Sequence, residues 1–394
     1  MRLVVFSHKV CRPDPNSPSG YATDGGFPLH MEALSQLFDA TRLVVPCQGR
    51  MAAPGDAPLK GKCLQVVPVP VPFGRGLVRK VLLPWWFLRC APTLFRETLK
   101  ADAVHAPIPG DVGTIGFALA LLLRKPLFVR HCGNWLVQKT LAERMWRWAM
   151  ERYAGGRNVM LATGGGTELP SVKNRHIQWI FSSSLWARQM DAYRDEDRPP
   201  PSNGCAELVI ACRQDEAKGT GVVIQAMPAV LRHLSHARLH VIGDGPALAR
   251  FKELAHELNV EGSVLFHGRL PHAKVLEVVK DCHVFCYPTS ASEGFPKVVL
   301  EALACGVPVI ATRVSVLPYL LKDGGGVLLN EGSPQELAEA VVKLLADGNA
   351  YRQACNIASA TARSYTLEAW RDAIGFHLRR AWGRLAKGDE PVCA

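Results

Sequence analysis

The chain lacks the features that mark several broad classes of protein. Its longest apolar stretch, Gly113–Leu123, is too short to cross a bilayer and ends at Arg124 and Lys125. Its twelve cysteines show neither a C-x-x-C pair nor the cysteine and histidine spacing of a zinc finger. Its 46 lysines and arginines are scattered rather than gathered in one basic tract. We therefore expect no membrane span, no zinc site and no nucleic-acid partner.

The composition and the net charge indicate a globular protein with an acidic partner. The 394 residues are 48% hydrophobic and 21% charged, which is enough for two domains with full cores. The formal net charge of +11 favours phosphate groups or an anionic membrane face. The cysteines are interpreted as small core hydrophobes in a reducing compartment. Met1–Lys9 is too short for a signal peptide and resembles a first strand, so we expect a cytoplasmic protein.

Short apolar segments alternate with helical patterns along the whole chain. This alternation is typical of βαβ units with parallel sheets. Thirteen strands are too many for one doubly wound sheet, so the sequence predicts an α/β protein with two such domains. The predicted strands are Arg2–Ser7, Arg42–Pro46, Cys63–Val71, Ala103–Ala106, Pro126–His131, Asn158–Thr163, His176–Phe181, Glu207–Arg213, Arg238–Ile242, Ser263–His267, His283–Pro288, Val307–Thr312 and Gly326–Leu329.

The predicted domain boundary is a stretch without apolar periodicity. Residues 191–205 include three consecutive prolines, which form a stiff linker. We place the first domain at 1–190, the second at 206–365, and a C-terminal helix at 366–394.

The most informative segment lies between Ser290 and Thr312. Glu293 and Glu301 are eight residues apart, and Pro296 fits the first position of a short helix. That helix is apolar almost all round except for Lys297 and Glu301, which share one face at i, i+4. A buried helix with one polar stripe suits a cleft that holds a hydroxyl-rich, anionic ligand at its N-terminus. The alternative is a core helix with an exposed Lys–Glu pair.

This spacing resembles the E-x7-E motif of retaining glycosyltransferases with the GT-B fold, in particular glycosyltransferase family 4. The resemblance implies two Rossmann-like doubly wound domains with an inter-domain cleft. It also implies that Glu293 contacts the donor sugar and that Glu301 binds the ribose of the nucleotide. The amides of Gly294 and Phe295 and of the helix start would stabilise the departing diphosphate.

Two further segments of the second half fit the same resemblance. Arg213 ends a strand, and Lys218 follows in a short loop. Ligands bind off such strand ends, and two cations there suit a diphosphate. They resemble the family's Arg…Lys-Gly pair, with solvated loop cations as the alternative. Gly243 opens a Gly-Asp-Gly-Pro turn that resembles the family's turn beside the nucleotide.

The first half resembles the family more loosely. His131 ends a predicted strand and resembles the family's first-domain histidine, which approaches the donor sugar. Gly26, in the sequence Asp-Gly-Gly, resembles the family's Gly-Gly loop, whose backbone comes close to the phosphates. A lone histidine is more often structural, and that alternative stays open.

Gly74–Arg89 is both basic and aromatic. A mixture of this kind suits an interfacial surface on anionic lipid. Its cations are Arg75, Arg79, Lys80 and Arg89, and its apolar residues are Leu77, Val81, Leu82, Trp85, Trp86 and Phe87. The Trp-rich segment Met145–Arg152 could add to this surface. The alternative is a set of ordinary amphipathic helices packed on the first sheet.

Together these features predict a retaining enzyme that moves a sugar from a nucleotide-sugar donor to a saccharide or lipid-linked acceptor in cell-surface polysaccharide synthesis. It would work without a metal or other cofactor, in the cytoplasm or on the inner membrane face. Three alternatives stay open: a sugar-nucleotide 2-epimerase of the same fold, a phosphorylase, and a non-catalytic subunit that binds nucleotide sugars. The segment Val314–Tyr319 lacks the Gly-Gly and Glu common in the family, which affects the finer donor contacts.

Overall fold

The computed structural model describes residues 1–53, 55–74, 76–138, 140–193, 198–291 and 293–388. The chain divides into two compact units. One comprises Met1–Ser184 and Leu367–Ala394, and the other Leu185–Thr366. Each unit is built on its own parallel sheet, as the α/β prediction requires.

The first unit contains a seven-stranded parallel sheet in the order β10-β9-β8-β7-β1-β4-β6. These strands are β1 (Arg2–Phe6), β4 (Ala40–Pro46), β6 (Leu64–Val69), β7 (Ala103–Ile108), β8 (Leu127–His131), β9 (Asn158–Thr163) and β10 (Ile177–Ile180). Its helices are α1 (Phe27–Ser35), α2 (Gly76–Lys100), α3 (Asp111–Leu122), α4 (Leu141–Tyr153) and α13 (Leu367–Trp382). Because parallel crossovers are right-handed, α2, α3 and α4 share one face of this sheet.

A small antiparallel sheet was not predicted. It joins β2 (Arg12–Pro13), β3 (Tyr21–Thr23) and β5 (Ala57–Pro58). Strands of two or three residues show no alternation, and two of them contain proline, so sequence periodicity cannot find them.

The C-terminal helix α13 belongs to the first unit. Trp370 is buried there and stacks on His30, with the ring centroids 4.6 Å apart. The guanidinium of Arg130 lies over the same indole ring, 5.2 Å from its centroid. A cation over an aromatic face is attracted by the ring quadrupole, so the last helix is held to the sheet by more than apolar burial.

The second unit contains a six-stranded parallel sheet in the order β13-β12-β11-β14-β15-β16. Its strands are β11 (Glu207–Ala211), β12 (Arg238–Ile242), β13 (Val264–Gly268), β14 (Val284–Tyr287), β15 (Val309–Thr312) and β16 (Gly326–Leu329). Its helices are α5 (Ala187–Tyr193), α6 (Thr220–His233), α7 (Leu248–Glu257), α8 (His272–Lys280), α9 (Lys297–Ala304), α10 (Leu317–Leu320), α11 (Pro334–Ala346) and α12 (Gly348–Arg363). All thirteen predicted strands are therefore present, each within two residues at either end.

Arg198 lies in the predicted linker and is buried in the second unit. Its guanidinium donates hydrogen bonds to the backbone carbonyls of Lys280, Cys282 and Cys305, near the ends of α8 and α9. The last carbonyls of a helix have no intrahelical partner, so this arginine satisfies groups that would otherwise be buried unpaired. Residues 194–197 of the same predicted linker lie outside the described residues.

Each parallel sheet has one point at which the strand order reverses. In the second unit the reversal lies between β11 and β14, because β12 and β13 follow on one side and β15 and β16 on the other. In the first unit it lies between β1 and β7. Loops that follow the two strands at such a point diverge and leave a crevice, which is the usual ligand site of open α/β sheets.

Candidate functional site

The loops after β11 and β14 meet through an ion pair between Lys218 and Glu293. The ammonium of Lys218 contacts Oε1 of Glu293. The hydroxyl of Tyr287 donates a hydrogen bond to the same oxygen, at 3.1 Å. The side chains of Lys218 and Glu293 are 24% and 16% exposed, so both charges are partly shielded from solvent. The two residues were predicted separately, and the structure brings them together.

Backbone contacts fix the distance between these two loops. The carbonyl of Ala217 accepts hydrogen bonds from the Thr289 hydroxyl and from the Ser290 and Ala291 amides, at 2.9–3.1 Å. Gly219 has a φ of +90°, and a Cβ there would lie 2.3 Å from the carbonyl oxygen of Pro288. Only glycine permits both this conformation and this approach. The Lys-Gly sequence therefore places Lys218 against the β14 loop.

Arg213 lies in the same loop as Lys218 but has a different partner. Its Nε is 3.1 Å from a carboxylate oxygen of Asp215, and its side chain is 71% exposed. Strand β11 ends at Ala211, two residues earlier than predicted. The two cations are thus paired with separate carboxylates, and Arg213 is the one that reaches into solvent.

Helix α9 carries Glu301 and begins one residue later than predicted. Pro296 is the N-cap, and the first helical residue is Lys297. Glu301 is buried, and its Oε1 lies 2.9 Å from Nε2 of His272 on α8. The hydrogen bond with Glu301 raises the pKa of His272. His272 was not predicted, and 29 positions of sequence separate it from its partner.

Gly294 and Phe295 connect Glu293 to this helix. The hydroxyl of Ser315 donates a hydrogen bond of 3.1 Å to the Gly294 carbonyl. Phe295 is buried, with its ring centroid 5.9 Å from that of Tyr365. Ser315 belongs to the segment that departs from the family pattern, and here it holds the loop that carries Glu293.

Gly243 and a buried glutamine shape the neighbouring turn. Gly243 has a φ of +119°, and a Cβ there would lie 1.9 Å from the carbonyl oxygen of Cys212. The amide of Gln214 donates to the carbonyls of Cys212 and Ile242, and its oxygen accepts from Thr220. Gln214 therefore ties the Arg213 loop to the Gly-Asp-Gly turn. Nothing in its spacing identified it, because a single glutamine in a polar loop carries no pattern.

His131 and Gly26 belong to the first unit. His131 ends β8, is 1% exposed, and lies edge-on to Trp135 with ring centroids 5.3 Å apart. Burial lowers its pKa to about 4, so its imidazole is neutral at pH 7. Gly26 is the N-cap of α1 and follows Gly25, whose φ is +72°. The ammonium of Lys9 pairs with Asp24 at the start of this loop.

Among the described residues, no group of three or more His, Cys, Asp or Glu side chains could hold a metal ion. The sequence does contain one Asp-x-Asp triplet, Asp195-Glu196-Asp197, which lies outside the described residues. The absence of a metal requirement therefore stays a prediction about the reaction.

Two Rossmann-like units with parallel doubly wound sheets define the GT-B class of glycosyltransferase folds. Solved structures share this fold across nearly the whole chain. HepE from Anabaena in complex with UDP superposes with a TM-score of 0.68 over 96% of this chain and 100% of its own, at 16% identity. WaaG, a glycosyltransferase involved in lipopolysaccharide biosynthesis, gives a TM-score of 0.61 over 97% of this chain and 100% of its own, at 15% identity. At these identities the likeness establishes the fold alone.

The chain belongs to the family Glycosyl transferases group 1, whose family model matches residues 196–361. A GDP-mannose-dependent alpha-(1-6)-phosphatidylinositol monomannoside mannosyltransferase from Mycolicibacterium smegmatis is 30% identical over 75% of this chain and 81% of its own length. An N-acetyl-alpha-D-glucosaminyl L-malate synthase from Bacillus anthracis is 34% identical over 33% of this chain, and the match spans only 33% of that relative. The predicted family and fold are thereby confirmed.

Proposed function

We propose that the chain is a retaining glycosyltransferase that moves a sugar from a nucleotide-sugar donor to a saccharide or lipid-linked acceptor in cell-surface polysaccharide synthesis. The observation that carries this proposal is the contact of Lys218, Glu293 and Tyr287 where the strand order of the second unit reverses. Relatives named for GDP-mannose and the HepE complex with UDP-glucose support a GDP- or UDP-sugar as the donor.

The cations of this crevice suit the donor's diphosphate. Lys218 supplies a partly buried point charge, and the exposed guanidinium of Arg213, in the same loop, supplies a planar fork. The N-terminus of α9 adds the positive end of a helix dipole. Without donor, Glu293 neutralises Lys218, which avoids an unpaired charge in a half-buried site. With donor, the diphosphate replaces Glu293 as the partner of Lys218, and Glu293 turns to the sugar hydroxyls.

The chemical step then depends on charge stabilisation. When the bond between sugar and phosphate breaks, negative charge develops on the diphosphate and positive charge on the sugar. Lys218 and Arg213 stabilise the first, and the Glu293 carboxylate stabilises the second. The acceptor hydroxyl approaches the same face that the leaving group departs from, and its proton passes to a phosphate oxygen. The anomeric configuration is thereby retained without a covalent enzyme intermediate.

The other predicted donor residues contact the donor through hydrogen bonds or through their backbone. Glu301, held by His272, accepts from the ribose hydroxyls. The backbone at Gly243 and at Gly26 approaches the nucleotide and the phosphates, as the family resemblance implies. His131 acts on the sugar as a neutral hydrogen-bonding group, because burial keeps its imidazole uncharged.

We further propose that the acceptor is lipid-linked and that α2 and α4 bind an anionic membrane surface. On α2, Val78, Val81, Trp85 and Leu88 are all exposed at i, i+3, i+7 and i+10, and so form one apolar stripe. On α4, exposed residues Leu141, Met145 and Trp148 form a second stripe at i, i+4 and i+7. Lys80, Arg89 and Arg144 are exposed cations on the same two helices. Apolar stripes flanked by cations are the usual form of an interfacial helix.

Some residues of the basic and aromatic segment Gly74–Arg89 were wrongly predicted to be available to a membrane surface. Trp86 is fully buried and its indole N–H donates to the Pro70 carbonyl at 2.7 Å, while Phe87 is half-buried against the core. Arg79 is paired with Asp111 at 2.5 Å. Arg75 lies outside the described residues. In the described part of the chain, no helix is both long and apolar enough to span a bilayer.

The reaction is proposed to need no metal, because the cations of the chain itself meet the diphosphate. Activity that survives excess EDTA would support this, and activity lost to EDTA and restored by Mn²⁺ or Mg²⁺ would contradict it.

Two measurements test the function. A thermal-shift screen over UDP-, GDP- and ADP-sugars should show stabilisation by one nucleotide class, since bound ligand stabilises by RT ln(1 + [L]/Kd). With that donor, release of free nucleotide should require an acceptor. Epimerisation without acceptor would instead identify a sugar-nucleotide epimerase, and binding without turnover a non-catalytic subunit.

A further inference from the structure

Cys11 and Cys47 of the first unit lie directly opposite each other. Cys11 directly precedes β2 and Cys47 directly follows β4, and the two form an isolated parallel bridge. The Cys11 amide donates to the Pro46 carbonyl at 2.8 Å, and the Gln48 amide donates to the Cys11 carbonyl at 2.9 Å. Residues paired across neighbouring strands have Cα atoms about 5 Å apart, which is inside the range that disulfides require.

The two thiols differ in access. Cys11 is fully buried, whereas Cys47 is half-buried and lines a cavity of about 510 Å³ with Arg50 and Phe73. The interaction with the neighbouring Cys47 thiol and burial raise the pKa of Cys11, and the interaction with Cys11 lowers the pKa of Cys47. In the structure the Cys11 thiol donates to the Lys9 carbonyl at 3.8 Å, and the Cys47 thiol donates to the Val45 carbonyl at 3.6 Å. This arrangement makes Cys47 the accessible nucleophile and Cys11 the sheltered second thiol.

We propose that Cys11 and Cys47 form a dithiol modification site, which a disulfide oxidant such as glutathione disulfide converts into an intramolecular disulfide. The Cys47 thiolate attacks one sulfur of glutathione disulfide, forms a mixed disulfide and releases one glutathione thiolate. Cys11 then loses its proton to that thiolate and attacks the Cys47 sulfur, which releases the second glutathione. Two protein thiols are oxidised and one glutathione disulfide is reduced to two glutathiones.

The cross-link would act on the loop that carries Gly25 and Gly26. That loop lies within the segment from Cys11 to Cys47, and its base is held by the Thr23 hydroxyl, which donates to the Val10 carbonyl at 2.7 Å. Closing this segment covalently restricts the unfolded chain, so the oxidised protein should melt several degrees higher than the reduced protein. The proposal stands on the thiol geometry and does not require the proposed sugar transfer.

The test treats the native chain with glutathione disulfide, blocks the remaining thiols with iodoacetamide in denaturant, and maps the peptides without reduction. We expect a linked pair of peptides containing Cys11 and Cys47. In Cys11→Ser, Cys47 should stop at the mixed disulfide with glutathione. In Cys47→Ser, Cys11 should remain a free thiol because it is buried. Cys63→Ser, which removes an exposed thiol, should form the Cys11–Cys47 link as wild type does.

Two outcomes would overturn the proposal. One is a wild-type protein in which Cys47 remains glutathionylated and Cys11 remains free. The other is a wild-type protein in which both thiols are alkylated while Cys63 has reacted with glutathione. A further experiment uses only the wild-type protein, so its result does not depend on whether the serine variants fold. One equivalent of phenylarsine oxide, which bridges neighbouring dithiols, should protect Cys11 and Cys47 of wild type together from iodoacetamide added in denaturant, and failure to protect both counts against the site.

Discussion

His272 and Glu301 form a hydrogen-bonded pair that joins α8 to α9, with His272 Nε2 lying 2.9 Å from Glu301 Oε1. Glu301 is buried, whereas His272 is about half exposed. The pair therefore connects the polar stripe of a buried helix to the surface. It also holds the carboxylate in one orientation before any ligand arrives, which lowers the entropy cost of binding.

Glu301→Gln should weaken binding of the donor nucleotide about tenfold to a hundredfold. A hydrogen bond to a charged group is worth about 1.5–3 kcal/mol, and the amide loses that charge. Titration calorimetry with UDP and GDP measures the effect. Glu277→Gln, which changes an exposed carboxylate on α8, is the matched control and should bind as wild type does. Unchanged affinity in Glu301→Gln would remove the ribose assignment.

The same pair should make stability depend on pH. Because the pKa of His272 is raised in the folded protein, its stabilisation is fully present below the ordinary histidine value of about 6.5. It is lost as the pH rises through the higher folded value. The stability advantage of wild type over His272→Gln, about 1 kcal/mol or less for a half-exposed pair, should therefore shrink above pH 6.5. Urea unfolding from pH 5 to 9 measures it. The same comparison in a Glu301→Gln background should show no such trend, and a persisting trend would assign it to another group.

Glu293→Gln should lower kcat about tenfold to a thousandfold with a smaller change in KM for the donor. The carboxylate is proposed to stabilise charge that develops only in the transition state. Initial rates of nucleotide release with donor and acceptor measure both constants. Glu331→Gln removes an exposed carboxylate elsewhere in the unit and should keep wild-type rates. Wild-type turnover in Glu293→Gln would refute the role.

Gly219→Ala should destabilise the protein by about 2 kcal/mol or more. The substitution places a Cβ in a left-handed conformation and 2.3 Å from the Pro288 carbonyl oxygen. Gly262→Ala is the control, because a Cβ there meets nothing within 4 Å and φ is not positive. Urea midpoints of the two variants should differ clearly. Equal midpoints would show that the β14 loop does not approach Gly219 as described.

Val81→Ser with Trp85→Ser should reduce binding to anionic vesicles, because both side chains belong to the exposed stripe on α2. Sedimentation with phosphatidylglycerol vesicles at low salt measures it. Wild-type binding should fall as salt is added, since each cation near the surface contributes about 1 kcal/mol. Leu122→Ser removes an equally exposed leucine at the far end of α3 and should bind as wild type does. If the wild-type protein does not sediment with these vesicles, α2 has a structural role only.

Local sequence patterns were sufficient for the two parallel sheets. Buried parallel strands are short, continuous apolar runs, and each of the thirteen has turn residues beside it. The three-stranded antiparallel sheet was not predicted, because its strands are too short to show an alternation of apolar and polar residues. The start of α9 was displaced by one residue, since Pro296 fits both the N-cap and the first helical position.

The candidate site was predictable only where one segment carries the signal. Glu293 and Glu301 share a segment, and Lys218 precedes a glycine that the turn requires. His272 and Gln214 could not be predicted. The contact of His272 depends on how α8 packs beside α9, and that of Gln214 depends on how the loop after β11 packs beside the Gly243 turn. Trp85 and Trp86 show the same limit. They are adjacent in sequence, yet one is 67% exposed and the other fully buried, which depends on the packing of α2 against its sheet.

The position of α13 has a consequence for biosynthesis. Because Trp370 packs against His30 and Arg130, the first unit includes residues that the ribosome adds only after the whole second unit. The second unit, Leu185–Thr366, is fully synthesised before them. Domains usually fold in the order of their synthesis. In this protein the second unit can fold on the ribosome before the last helix of the first unit has been synthesised.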